Sequence, residues 1–134
     1  MAPSHQQTHQ AGRHLAVAEA LLRGYAAELQ GPQTYIKVNG RPAAVMVAGK
    51  GAWMIADIEK FTQATTEMYV LVDVTEATRR IYIVPGDELR RGVRERHERF
   101  MARVGTRPRN PDSKHSRIEP PDVDEWERGW SLFG

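Results

Sequence analysis

The sequence contains no cysteine among its 134 residues, and aromatic residues make up only 7% of it. Disulfide bonds and zinc sites built from thiolates are therefore excluded. No run approaches the roughly 18 apolar residues of a membrane-spanning helix. The N-terminal residues are polar and rich in His and Gln, without the apolar stretch of a signal peptide. These absences predict a protein of the reducing cytoplasm that does not enter the membrane.

The composition is that of an ordinary globular protein, with 40% apolar and 27% charged residues. A chain of this length fits one domain and can bury about two thirds of its unfolded surface. We expect residues 1–12 to form a flexible, disordered tail and residues 13–134 to form the single domain.

Apolar periodicity and turn signals predict an α/β protein with a mixed sheet and helices packed on its faces. The predicted helices are 13–29, 58–67 and 87–104, and the predicted strands are 34–38, 43–48, 68–74 and 80–84. Asn39-Gly40 is the strongest hairpin signal in the chain. The nearly continuous apolar run of residues 68–74 suits a strand that is covered on both faces.

The charges are distributed unevenly, although the formal net charge is only +2. The segment from Arg90 to Arg117 contains ten Lys and Arg residues and three acidic residues, whereas residues 118–134 contain five acidic residues and one Arg. Such a basic segment can bind a polyanion, or it can pair with the acidic C-terminal segment of its own chain.

Four pieces of the sequence together carry a resemblance to a known family. They are the helix pattern from Leu15 to Tyr25, the hairpin of residues 35–47, the strand pair of residues 69–85 and the Trp-bearing segment of residues 126–133. Their order and spacing resemble the PD-(D/E)xK nuclease superfamily, in particular its small bacterial single-domain members and the archaeal Holliday-junction resolvases. The resemblance implies a restriction-endonuclease-like fold, with a mixed β-sheet flanked by helices.

The resemblance also implies a site that binds a divalent metal ion. In that family a Glu on the first helix, an Asp on the second strand and a Glu or Gln with a Lys on the third strand hold Mg²⁺ and activate water for phosphodiester hydrolysis. Glu19 matches the helix glutamate, but Tyr35, Met46 and Ala48 stand at the other three positions. A thioether is a poor partner for a hard cation. The resemblance therefore implies a degenerate active site.

The alternative to an active site that has been lost is one that has moved to neighbouring residues, here called the displaced site. It would use Glu19 and Lys50 as catalytic residues and Asp57 or Glu59 as ligands of a Mg²⁺ cofactor. Each residue also has a structural interpretation. Glu19, between Leu15 and Leu22, can pair with a nearby Arg, Lys50 can be an exposed turn lysine, and Asp57 can cap a helix.

Two main hypotheses about function follow. The first is a Mg²⁺-dependent DNA endonuclease, and the second is a non-catalytic module of the same fold, expected to be a homodimer, that binds DNA or another protein. In both, the candidate contacts to nucleic acid are Arg90, Arg91, Arg94, Arg103, Arg107 and Arg109. A structural accessory protein is the third alternative, in which the acidic C-terminal segment neutralises the basic one.

Overall fold

The computed structural model describes residues 2–31, 34–104 and 115–134. The first helix, α1, spans His5–Leu22. It begins at His5 because Ser4 forms a capping box, in which its hydroxyl accepts from the Gln7 N–H and the Gln7 side chain accepts from the Ser4 N–H. The predicted bounds of 13–29 are wrong at both ends, and the helix extends into the expected tail.

The buried face of α1 consists of Gly12, Ala16 and Ala20. A Cβ on Gly12 would lie 2.3 Å from Cγ2 of Val47, so the glycine lets the helix approach the sheet closely. Leu15 is partly buried and packs against the same core, whereas Leu22 is 83% exposed.

Three antiparallel strands follow α1. They are β1 (Ala27–Gln30), β2 (Tyr35–Val38) and β3 (Arg41–Ala48). The hairpin at Asn39-Gly40 is confirmed: both residues have positive φ, 50° and 78°, as a two-residue turn of this kind requires. Strand β1 occupies residues that were expected to continue the helix.

The chain then crosses over to a parallel strand. The crossover contains β4 (Trp53–Ile55) and α2 (Ile58–Gln63), and β5 (Met68–Asp73) pairs parallel with β3. Strand β6 (Arg80–Pro85) returns antiparallel to β5. The result is a five-stranded mixed sheet in the order β1-β2-β3-β5-β6, which confirms the mixed α/β architecture.

Both faces of this sheet are covered. On one face, here called the α1 face, Val70, Val72 and Ile83 pack against α1 and against Trp130 and Phe133 of the C-terminal 3₁₀ segment Trp130–Phe133. The opposite face, here called the α3 face, carries Tyr69, Leu71, Tyr82 and Val84. The covered strand predicted at residues 68–74 is thus confirmed, with bounds Met68–Asp73.

The α3 face is covered by the last long helix and by smaller elements. Helix α3 spans Gly86–Val104, β7 (Ser116–Ile118) pairs with β4, and a 3₁₀ segment spans Pro120–Trp126. Leu89 and Val93 of α3 join the core on this side. None of the helices in the three described ranges has both the length and the apolar character that a membrane crossing needs.

Candidate functional site

Three side chains on the α3 face stand where the resemblance implies the Asp, the Glu or Gln, and the Lys of a nuclease. Tyr35 of β2 pairs with Ala44 of β3, and alternation along β3 puts Ala44, Met46 and Ala48 on the same face. Ala48 is 1% exposed and belongs to the core, while Tyr35 and Met46 are partly buried and pack against it.

The neighbours of these residues are apolar or already paired. The core around Ala48 includes Trp53, whose indole N–H donates to the carbonyl oxygen of Val72 at 3.1 Å. The Tyr35 hydroxyl shares a 3.1 Å hydrogen bond with the Thr66 hydroxyl. This part of the α3 face is therefore a packed layer.

The residues at these positions do not fit a Mg²⁺ ion. Mg²⁺ takes oxygen ligands, above all carboxylates, and none of Tyr35, Met46 and Ala48 supplies a carboxylate. In the part of the chain that the structure describes, no three His, Cys, Asp or Glu side chains come together where they could hold a metal ion.

The residues of the displaced site do not converge. Glu19 lies on α1 and pairs with Arg23, with 2.8 Å between Oε1 and Nε. Asp57 caps α2, and its carboxylate accepts from the Lys60 N–H at 3.1 Å. Helix α1 packs on the α1 face, whereas Ile58 of α2 packs on the α3 face. The sheet thus separates Glu19 from Asp57, and both residues have the structural roles that the sequence allowed.

Lys50 and Glu59 lie on the surface. Lys50 is exposed in the turn after β3, where the neighbouring Gly51 N–H donates to the Thr75 hydroxyl at 2.6 Å. Glu59 is exposed in the first turn of α2. The turn at Lys50 is therefore anchored beside the end of β5. It also approaches the first half of α1, since a Cβ on Gly49 would lie 3.3 Å from Cγ2 of Thr8.

The arginines of α3 differ in what they contact. Arg90 is buried, and its guanidinium donates to the Thr66 carbonyl at 2.7 Å and to Asp87 at 2.9 Å. This corrects its assignment as a nucleic-acid contact, since its donors face the protein. Arg91 pairs with Glu88, and this hydrogen bond is the main cause that raises the pKa of Arg91.

Three of the four remaining α3 arginines are more available to a ligand, and the fourth is paired. Arg94 and Arg99 are exposed and make no ion pair within the described residues, and Arg103 lies 5.9 Å from the Phe100 ring centre. Arg96 pairs with Asp122 at 3.4 Å, so the acidic C-terminal segment neutralises part of the helix, as one sequence hypothesis required. Arg107 and Arg109 lie outside the described residues.

The structure also assembles a cluster that sequence reasoning missed. A groove of about 440 Å³ lies between α1 and β6, and Glu19 is on its rim. Four arginines line it: Arg23, Arg79, Arg80 and Arg128. The spacing of Glu19 and Arg23 is readable as a helical ion pair, but only the sheet topology brings Arg80 and Arg128 to the same place.

A smaller polar pocket of about 350 Å³ lies beside the N-terminal half of α1 and includes His5, His9, Arg13 and Thr34 in its lining. Burial lowers the pKa of His9 from its ordinary value of 6.5. The hydrogen bond with the Val45 backbone acts in the opposite direction, and the charges of Arg13 and His5 lower the pKa further.

This lowered pKa predicts a pH dependence of stability. The unfolded chain binds a proton at His9 more readily than the folded chain does. The folded state therefore keeps its full stability above the ordinary histidine pKa of 6.5, and it loses stability as the pH falls below that value. We expect His9→Gln to reduce the fall in Tm between about pH 7 and about pH 5, where histidine titrates. Thermal unfolding at several pH values checks this, with exposed His14→Gln as the matched control. Identical pH profiles for His9→Gln and the wild type would contradict it.

Comparisons of the chain with protein families, with curated proteins and with solved structures found no match.

Proposed function

We propose that this protein is a nuclease-like module that binds nucleic acid, with DNA as the expected ligand, and does not hydrolyse it. The observation that carries the proposal is the packed layer at Tyr35, Met46 and Ala48, because a nuclease of the resembled family needs oxygen ligands and a lysine there. The mixed sheet with helices on both faces is compatible with the restriction-endonuclease-like fold.

The exposed arginines of α3 support binding to a polyanion. Arg94, Arg99 and Arg103 project from a helix whose buried residues Leu89 and Val93 hold it against the sheet. Arginine makes paired hydrogen bonds to phosphate oxygens, and such contacts give affinity that depends little on base sequence. The expected cytoplasmic location and the homodimer belong to this proposal as well, and they rest on the sequence alone.

A non-catalytic protein-interaction or structural module of the same fold is the second candidate. The contact between Arg96 and Asp122 favours it, because charge that is neutralised within the chain is not available to a ligand.

Fluorescence anisotropy with a labelled DNA duplex at several salt concentrations tests the binding. We expect Arg94→Ala and Arg99→Ala each to weaken binding by about three- to tenfold and to lower the slope of log K against log salt by about 1, because each loses one phosphate contact. Arg41→Ala is the control, since the Arg41 guanidinium donates to the Leu132 carbonyl at 2.9 Å, away from α3. Affinity that is independent of salt, or equal in all three variants, would overturn the proposal in favour of the second candidate.

A further inference from the structure

The groove between α1 and β6 has an apolar wall and a basic rim. Leu15, Ile81 and the buried Trp130 form the wall, and the arginines come from three separate parts of the chain. Arg23 extends from the C-terminal end of α1, with its guanidinium carbon 5.9 Å from the Trp130 ring centre. Arg80 begins β6, and Arg128 follows the 3₁₀ segment Pro120–Trp126.

Two carboxylates in the groove leave the positive charge only partly balanced. Glu19 pairs closely with Arg23, whereas Glu127 contacts Arg80 at a longer 3.5 Å, with Arg80 about half exposed. The Arg128 side chain makes no hydrogen bond or ion pair within the described residues. Because the groove contains four arginines and two glutamates, it attracts anions.

Arg128 also has an unusual backbone conformation. Its φ is 61°, in the left-handed region that favours glycine, and its N–H donates to the Ile81 carbonyl at 3.0 Å. The neighbouring bridge between Glu127 and Tyr82 fixes the segment against the edge strand β6. A bulky residue held in this conformation is strained, and such strain is concentrated at functional positions. Glycine would fit this backbone conformation better than arginine does.

From the unbalanced charge and the unpaired Arg128 we propose that this groove is a binding site for a phosphate group. Arg80 and Arg128 would hold the phosphate oxygens, and Arg23 would supply further positive charge beside Trp130. Guanidinium groups match phosphate in shape and remain charged at every physiological pH. The phosphate is either inorganic or part of a nucleic-acid backbone, and in the second case the inference rests on the proposed function.

NMR titration of the full chain tests the site. With inorganic phosphate as the probe, we expect the side-chain Nε–H signals of Arg80 and Arg128 and the indole signal of Trp130 to shift together. Arg128→Gly should weaken phosphate binding by about tenfold, because it removes a charge-assisted contact. The same change should raise Tm by about 3 °C, because it relieves the left-handed strain. A merely structural arginine would not give this opposite pair of effects.

Two further variants test whether the binding depends on the charges of the groove. Arg80→Gln removes a second groove charge from an exposed position and should also weaken phosphate binding. Lys60→Gln on α2 is the matched control, because it removes an exposed charge on the other face of the sheet, and it should bind phosphate as the wild type does. Equal phosphate affinity in Arg128→Gly, Arg80→Gln and the wild type would overturn the site.

A second titration with a short DNA duplex separates the two sources of phosphate. Duplex-induced shifts in the groove that Arg128→Gly abolishes would support a backbone phosphate at the site. Shifts confined to α3, with no response of the groove to inorganic phosphate, would overturn the groove and leave the proposed function standing. A groove that binds inorganic phosphate in a protein that does not bind the duplex would support the site and overturn the proposed function.

Discussion

Replacing Ala48 by lysine is expected to destabilise the protein by about 4 kcal/mol, because the ammonium group loses its hydration in an apolar layer. Ala48 is 1% exposed and lies in the same core cluster as Trp53 and Leu71. Burial depresses the pKa of a lysine, and each unit of depression below the working pH costs about 1.4 kcal/mol. Urea denaturation at neutral pH measures the free energy of unfolding.

The control places the same side chain on the surface. Ala77→Lys lies in the exposed turn between β5 and β6, and we expect a change within about 0.5 kcal/mol. If Ala48→Lys were as stable as Ala77→Lys, the α3 face would be open to water at the position that holds a lysine in the resembled nucleases.

The second large effect is expected at the junction between β6 and α3. A Cβ on Gly86 would lie 1.8 Å from the backbone oxygen of Thr66, which cannot move without disturbing its hydrogen bond from Arg90. The Gly86 N–H also donates to the Glu67 carbonyl at 2.7 Å. Gly86→Ala should therefore cost about 3 kcal/mol through overpacking.

Gly31→Ala is the matched control for this substitution, since in the described ranges no atom beyond its chain neighbours lies within 4 Å of its added Cβ. We expect it to be neutral or slightly stabilising. Thermal or urea unfolding of the two variants compares them directly, and equal stability would show that the junction can relax at little cost.

The parts of the fold that sequence predicted well are those with strong local signals. The Asn39-Gly40 turn and the apolar run of β5 were both confirmed, because a two-residue turn and a doubly covered strand impose clear residue requirements. The start of α1 was missed because its first turns are polar, although Ser4 and Gln7 form a capping box. Its end was missed because apolar spacing continued into β1, which pairs with β2 instead.

The candidate sites were harder to predict, for a different reason. The sequence already showed that Tyr35, Met46 and Ala48 lack metal-binding groups, but their packing against Trp53 depends on the crossover through β4. The burial of Arg90 depends on a contact with Thr66, 24 positions earlier in the chain. The basic groove combines residues from α1, β6 and the C-terminal segment, and no local pattern in the sequence relates them.

The claim that the protein binds DNA without hydrolysing it is tested most directly by adding Mg²⁺ to the bound DNA. The anisotropy titration is repeated with Mg²⁺ or Mn²⁺, and the DNA is then examined for nicks on a denaturing gel. We expect the DNA to remain bound and intact, because the layer at Tyr35, Met46 and Ala48 provides no carboxylate for the ion. Metal-dependent cleavage that Glu19→Gln or Lys50→Ala abolishes would contradict this account and establish the displaced active site.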